Sequence, residues 1–86
     1  MSNYEFSFRQ EVLMEKGAAV LGDLFRFEHE QKSADETQSA SLLYDLVWTA
    51  KQDILLARSE RDLAMIEGKF DLAHNFLNRL EVRENV

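Results

Sequence analysis

Apolar residues recur at three- and four-residue spacing through most of the chain, and this spacing predicts amphipathic helices. In the first segment, one face carries Phe6, Leu13, Val20, Leu24 and Phe27. Three more apolar residues make that face wider than one adjacent helix covers, namely Met14, Leu21 and Phe25. We therefore expect a first helix over residues 3–30 that packs against two neighbours. Ser2 and Glu5 have the spacing of a capping box at its start.

The start of this segment also fits a second interpretation. In the stretch YEFSF, Tyr4, Phe6 and Phe8 alternate with polar residues, as they would in a half-buried strand. A single short strand has nothing obvious to pair with in the rest of the chain. We therefore favour the helix.

A polar stretch from His29 to Ser41 separates the first segment from the second. It contains Ser33 and Glu36 at capping-box spacing, which predicts a turn followed by a new helix. Beyond it, a narrow apolar seam runs through Leu43, Val47, Ala50, Ile54, Ala57 and Ala64. This seam predicts a second helix over residues 35–66.

Gly68, in the stretch EGKFDLAHNFLNRL, either forms a corner between two helices or lies within one long helix. The apolar stripe around it is one residue out of step with the preceding seam and comprises Leu63, Ile66, Phe70, Ala73, Leu77 and Leu80. Glycine inside a helix costs about 1 kcal/mol relative to alanine, whereas a left-handed glycine commonly ends a helix. We therefore predict a corner at residues 67–69 and a third helix over residues 70–83, with one continuous helix as the alternative.

Gly68, Phe70 and Ala73 resemble the turn of a tetratricopeptide repeat, with its glycine, aromatic residue and small residue. The preceding residues depart from that family's pattern at Ala57, Glu60, Arg61 and Ala64. There is also no second repeat. The resemblance therefore implies a helical hairpin and does not assign the chain to that family.

The composition favours an all-α fold, because the 86 residues include no proline and only three glycines. We expect a single domain, residues 1–86, folded as a small three-helix bundle or a helical hairpin. A chain of this length buries a modest share of its surface, and it has no cysteine for disulfides or thiolate zinc sites. Oligomerisation remains as a source of stability, so we expect a homo-oligomer, most simply a dimer.

Sixteen acidic residues against ten basic ones give a net charge of −6, with no basic block. This charge disfavours direct binding to nucleic acid, because that affinity depends on cations placed at phosphates. No apolar run approaches the roughly 20 residues that span a bilayer, and MSNYEFSFRQ does not have the pattern of a secretion signal. We therefore expect a cytoplasmic protein that contacts neither nucleic acid nor membrane directly.

Candidate catalytic groups are few. The chain has no cysteine nucleophile, and no serine lies in a nucleophile-elbow sequence. His29 stands beside the polar stretch, and His74 would share a face with Glu67 and Asp71 only in a continuous helix. Such positions are typical of a solvated polar face. We expect no enzymatic activity, no cofactor and no metal site.

Tyr44, Trp48 and Leu55 form a second stripe on the middle segment, away from its seam. Because tryptophan and tyrosine are enriched among binding hot spots, we predict that these three residues bind a protein partner. The alternative is that the wide face of the first helix covers them.

Two functions fit these observations. The first is a non-catalytic interaction module of the adaptor, secretion-chaperone, antitoxin or regulatory-inhibitor kind, which holds a partner through an apolar helical surface. The second is an acidic decoy that occupies the basic cleft of a nucleic-acid-binding protein. We favour the first, because the acidic residues are interspersed with basic ones and form no long acidic run.

Overall fold

The structure, a computed structural model, describes residues 3–30 and 33–84. They form three helices, α1 (Asn3–His29), α2 (Ala34–Asp53) and α3 (Glu60–Glu84), with one 3-10 turn (Ile54–Leu56) between α2 and α3. Within these ranges no residue forms a strand. The predicted all-α fold is confirmed, and it is a small three-helix bundle.

Helix α1 packs against both other helices, as its wide apolar face predicts. The Gln10 side chain, near the start of α1, donates a 2.9 Å hydrogen bond to the carbonyl of Ile54 after the end of α2, so these two helices run antiparallel. Arg9 pairs with Glu60, and Lys16 pairs with Glu67, so α1 and α3 run in the same direction. The shared core is formed by Leu13, Val20, Leu21, Leu24, Phe27, Ala40, Val47, Ala50, Ile54, Leu63, Ile66, Phe70, Ala73, Leu77 and Leu80.

The strand interpretation of YEFSF is wrong, because these residues lie in the first turns of α1. Helical spacing directs Phe6 against the core, while Tyr4 and Phe8 remain exposed. The proposed capping pair at the N-terminus includes Ser2, which lies outside the described residues. At the start of α2, the predicted cap is present, since the Ser33 hydroxyl accepts a 3.2 Å hydrogen bond from the Glu36 amide.

The predicted corner at Gly68 is wrong, because α3 continues through residues 67–69 without a break. The chain turns ten residues earlier. There, the Ser59 hydroxyl accepts a 3.2 Å hydrogen bond from the Asp62 amide, and the Asp62 carboxylate accepts a 2.9 Å bond from the Arg58 amide. The first bond satisfies an amide that a helix start leaves without a partner, and the second holds the residue before the cap against the first turn of α3.

The position of this turn also explains the change of register. The buried seam of α2 ends at Ile54, and Ala64, which was assigned to the seam, is exposed. The predicted helix bounds 35–66 and 70–83 are therefore wrong at their inner ends. The likeness to a repeat turn at Gly68, Phe70 and Ala73 has no structural counterpart, because all three residues lie inside α3.

Replacing Gly68 with alanine should stabilise the protein. Gly68 does not have a positive φ, and a Cβ placed on it meets no atom within 4 Å. The alanine variant should therefore gain about 1 kcal/mol of unfolding free energy from helix propensity alone. Urea denaturation at constant protein concentration measures this change, and a loss of stability would contradict an unbroken α3 at this point.

Lys16 ties the middle of α1 to α3. Its ammonium donates to the Asp71 carboxylate at 2.8 Å and to the Glu67 carboxylate at 3.0 Å. The Asp71 hydrogen bond, opposed by partial burial and supported by Glu67, raises the pKa of Lys16 above its ordinary value of 10.5. These two ion pairs therefore stabilise the fold most fully at pH values below the ordinary pKa of lysine.

This raised pKa predicts a loss of stability at high pH. As the pH rises above about 10.5 and through the folded-state pKa, Lys16 loses its proton and its contribution disappears. The Lys16→Met variant lacks that titration, so the stability difference between wild type and variant should shrink across this window. Urea denaturation at several pH values from neutral upwards measures the difference. A difference that stays constant through the window would contradict the ion pair.

Candidate functional site

The three predicted binding residues lie along α2 and the 3-10 turn, but they differ in exposure. Trp48 leaves 50% of its surface exposed and Leu55 leaves 69% exposed. Tyr44 is partly buried and packs against the core. The idea that α1 covers this stripe is therefore wrong for Trp48 and Leu55. We call Tyr44, Trp48 and Leu55 the α2 surface.

A second apolar row on the first turns of α1 was not singled out from the sequence. Tyr4, Phe8 and Val12 follow each other at four-residue spacing, and all three are exposed, Tyr4 to 80%. This spacing places them in one row along the helix. The same spacing in the sequence, outside the row of buried residues, was the available signal. We call these three residues the α1 surface.

A shallow groove lies where the 3-10 turn meets α3. Its lining comprises Asp53, Leu56, Ala57, Asp62, Met65, Ile66 and Lys69. Leu56 and Met65 are both more than half exposed. The groove therefore combines exposed apolar side chains of the 3-10 turn and α3 with charged residues.

His29 is the last residue of α1, and His74 lies on the exposed side of α3. The Nδ1 atom of His29 lies 2.9 Å from the Phe25 carbonyl oxygen, one turn earlier, and the two rings are 4.2 Å apart. His74 lies in the unbroken α3 with Glu67 and Asp71, but both of these carboxylates bind Lys16. Within residues 3–30 and 33–84, no three histidine or acidic residues come together in a way that could hold a metal ion.

None of the helices in the described parts of the chain is long and apolar enough to cross a membrane. The candidate site consists of exposed apolar side chains on a helical bundle, and surfaces of this kind commonly mark sites of protein–protein interaction. A comparison with protein families shows which class of protein this chain belongs to. The family model of the bacterial epsilon antitoxins matches residues 2–80. The chain belongs to the bacterial epsilon antitoxin family. No curated protein and no solved structure matches it.

Membership of an antitoxin family supports one of the two functions that fit the sequence. An antitoxin acts by engaging another protein, which agrees with a protein-interaction role of the antitoxin type. The acidic-decoy alternative is not favoured. In this chain, the α2 and α1 surfaces both carry exposed apolar side chains and are the candidates for contact with a protein partner.

Proposed function

We propose that this antitoxin is a non-catalytic inhibitor that binds a protein toxin through the α2 surface. The observation that carries the proposal is Trp48, a large aromatic side chain with half of its surface in water, on a helix whose other side lies in the core. The adjacent 3-10 turn adds Leu55, which is more exposed still. We place this activity in the cytoplasm.

The energetic argument rests on desolvation. Removing apolar surface from water gains roughly 25 cal/mol per Å², and tryptophan offers more area than any other side chain. Tyr44 is held in part by the core. Such an anchor reduces the side-chain entropy lost on binding, because its rotamer is already restricted. Because of its large area, Trp48 would supply most of the binding energy, and Tyr44 and Leu55 would add contacts beside it.

The α1 surface is the second candidate for the toxin contact. Tyr4, Phe8 and Val12 present two aromatic rings and one branched side chain in a row. Helical segments commonly bind grooves of other proteins through residues with this spacing. The α1 surface is therefore the natural comparison in any test of the α2 surface.

We also propose that the free protein forms a dimer through the α1 surface. The chain has no disulfide to support its small core, and Tyr4 is 80% exposed. Sedimentation equilibrium should give a dimer at micromolar concentration. The variant Phe8→Glu should give a monomer of about half that mass, because it places a charge in the contact. A wild-type monomer over a hundredfold concentration range would contradict the dimer.

The proposed function is tested by identifying the partner and its effect. The tagged protein should capture one main partner from its host. That partner should arrest growth when expressed alone and should be harmless when this protein is expressed with it. A captured partner that has no effect on growth, or one whose toxicity this protein does not relieve, would contradict the proposal.

A further inference from the structure

A row of residues runs along the outer face of α3. It belongs neither to the core nor to the proposed toxin contact. Its members are Arg61, Met65, Gly68, Leu72, Asn75 and Arg79, and all of them are exposed. They follow one another at alternating spacings of four and three residues. This is the spacing of the positions through which one helix contacts another in a coiled coil. We call these six residues the α3 row.

The middle of the α3 row is apolar and open. Met65 is 61% exposed and Leu72 is 53% exposed, with Gly68 between them. A Cβ on Gly68 would meet nothing within 4 Å, so the bundle itself has no use for a glycine there. Glycine in a helix costs about 1 kcal/mol relative to alanine, but its bare Cα permits close approach of another backbone. These features fit the close packing of a second helix.

The ends of the α3 row carry charge. Arg61 and Arg79 are 18 residues apart, or about 27 Å along the helix axis at about 1.5 Å per residue. Neither makes an ion pair or hydrogen bond with any side chain that the structure describes. The protein as a whole has 16 acidic and ten basic residues, yet this row contains two cations and no carboxylate. The charge that complements it is negative at both ends.

A second copy of this chain does not complement the α3 row. An antiparallel pair that sets Gly68 against Leu72 also brings Arg61 of one copy against Arg79 of the other. A parallel pair brings each arginine against its own counterpart. Both arrangements oppose like charges, which disfavours self-pairing and favours a foreign helix.

We propose that the α3 row docks a helix from a second protein partner, one with an apolar centre and carboxylates at both ends. This docking is separate from toxin binding, because it uses another helix and different residues. The bare backbone at Gly68 takes the closest approach, Met65 and Leu72 pack on either side, and Arg61 and Arg79 each pair with a carboxylate. Arginine suits these positions, since its guanidinium binds a carboxylate through two parallel hydrogen bonds.

The test uses the full chain and two synthetic helical probes of about 22 residues. Both probes carry leucines at heptad positions through their central turns. One has glutamates in its first and last turns, and the other has lysines there. Fluorescence anisotropy should show that the glutamate probe binds about tenfold more tightly than the lysine probe at low salt. High salt should reduce this preference, because the ion pairs are exposed.

Charge reversal supplies the decisive variant. Arg61→Glu combined with Arg79→Glu should reverse the preference, so that the lysine probe binds about tenfold more tightly. The matched control is Arg26→Glu combined with Lys51→Glu, which changes the net charge equally on the other two helices and should keep the original preference. Leu72→Glu should weaken both probes about tenfold, and Leu72→Gln is the milder second variant if the first does not fold.

Several results would overturn the proposal. These are equal binding of the two probes, failure of both to bind, or reversal of preference in the control double variant, which would trace the preference to net charge. Binding of a DNA duplex by the wild type without binding of the glutamate probe would assign the two arginines to phosphates instead. In each case the capture of the toxin is unaffected, so the outcome is independent of the proposed function.

Discussion

Replacing Phe70 with alanine is expected to lower the free energy of unfolding by about 3–5 kcal/mol. Phe70 is fully buried, and it is the largest of the fully buried side chains. Its ring lies against Gly17 of α1, where a Cβ would come within 2.9 Å of the ring's Cζ atom. The alanine variant therefore leaves a ring-sized cavity between α1 and α3 that neither backbone can fill.

That loss is large for so small a protein. At about 0.05–0.15 kcal/mol per residue, a domain of this length has roughly 4–13 kcal/mol of stability in total. Thermal denaturation followed by circular dichroism should show a large drop in midpoint or no folded state. Leu72→Ala is the matched control on the same helix, because Leu72 is exposed and its truncation should cost less than about 1 kcal/mol. Equal losses in the two variants would contradict the placement of Phe70 in the core.

Replacing Trp48 with alanine is expected to leave the fold intact and to remove most of the toxin affinity. Half of the Trp48 surface is already in water, so truncation should cost about 1–2 kcal/mol of stability, well below a core aromatic. An aromatic hot spot at the centre of an interface contributes at least about 2 kcal/mol to binding, or about thirtyfold in affinity. Circular dichroism of the free variant separates this loss from unfolding.

Much of the fold followed from the periodicity of apolar residues. The buried stripe of α3 was predicted residue by residue, from Leu63 to Leu80, and all six members are buried. The break between α2 and α3 was not predicted, because the low helix propensity of glycine placed the expected break at Gly68. The signal that decides the break was a polar one, Ser59 followed by Asp62 at capping-box spacing. The low helix propensity of glycine is a small energetic effect, and it is overridden when a stripe of core residues continues across the glycine.

Less of the candidate site could be predicted from the sequence. Periodicity separates two sides of a helix, but it does not show which side a neighbouring helix covers. The structure leaves at least half of the Trp48 and Leu55 surfaces in water, whereas Tyr44 is partly buried and packs against the core. Likewise, Tyr4 and Phe8 stay exposed because α1 turns Phe6 towards the core. The class of partner has no counterpart in periodicity at all, and only membership of an antitoxin family indicates that the partner is a protein.

The most direct test of the account is the toxin affinity of two variants, measured by isothermal titration calorimetry against the purified toxin. Trp48→Ala truncates the α2 surface, and Phe8→Ala truncates an exposed aromatic of the α1 surface as its matched control. The account predicts that Trp48→Ala weakens toxin binding by about thirtyfold or more, while Phe8→Ala changes it less than about threefold. Retained affinity in a folded Trp48→Ala variant would contradict the account, and loss in Phe8→Ala alone would assign the toxin contact to α1.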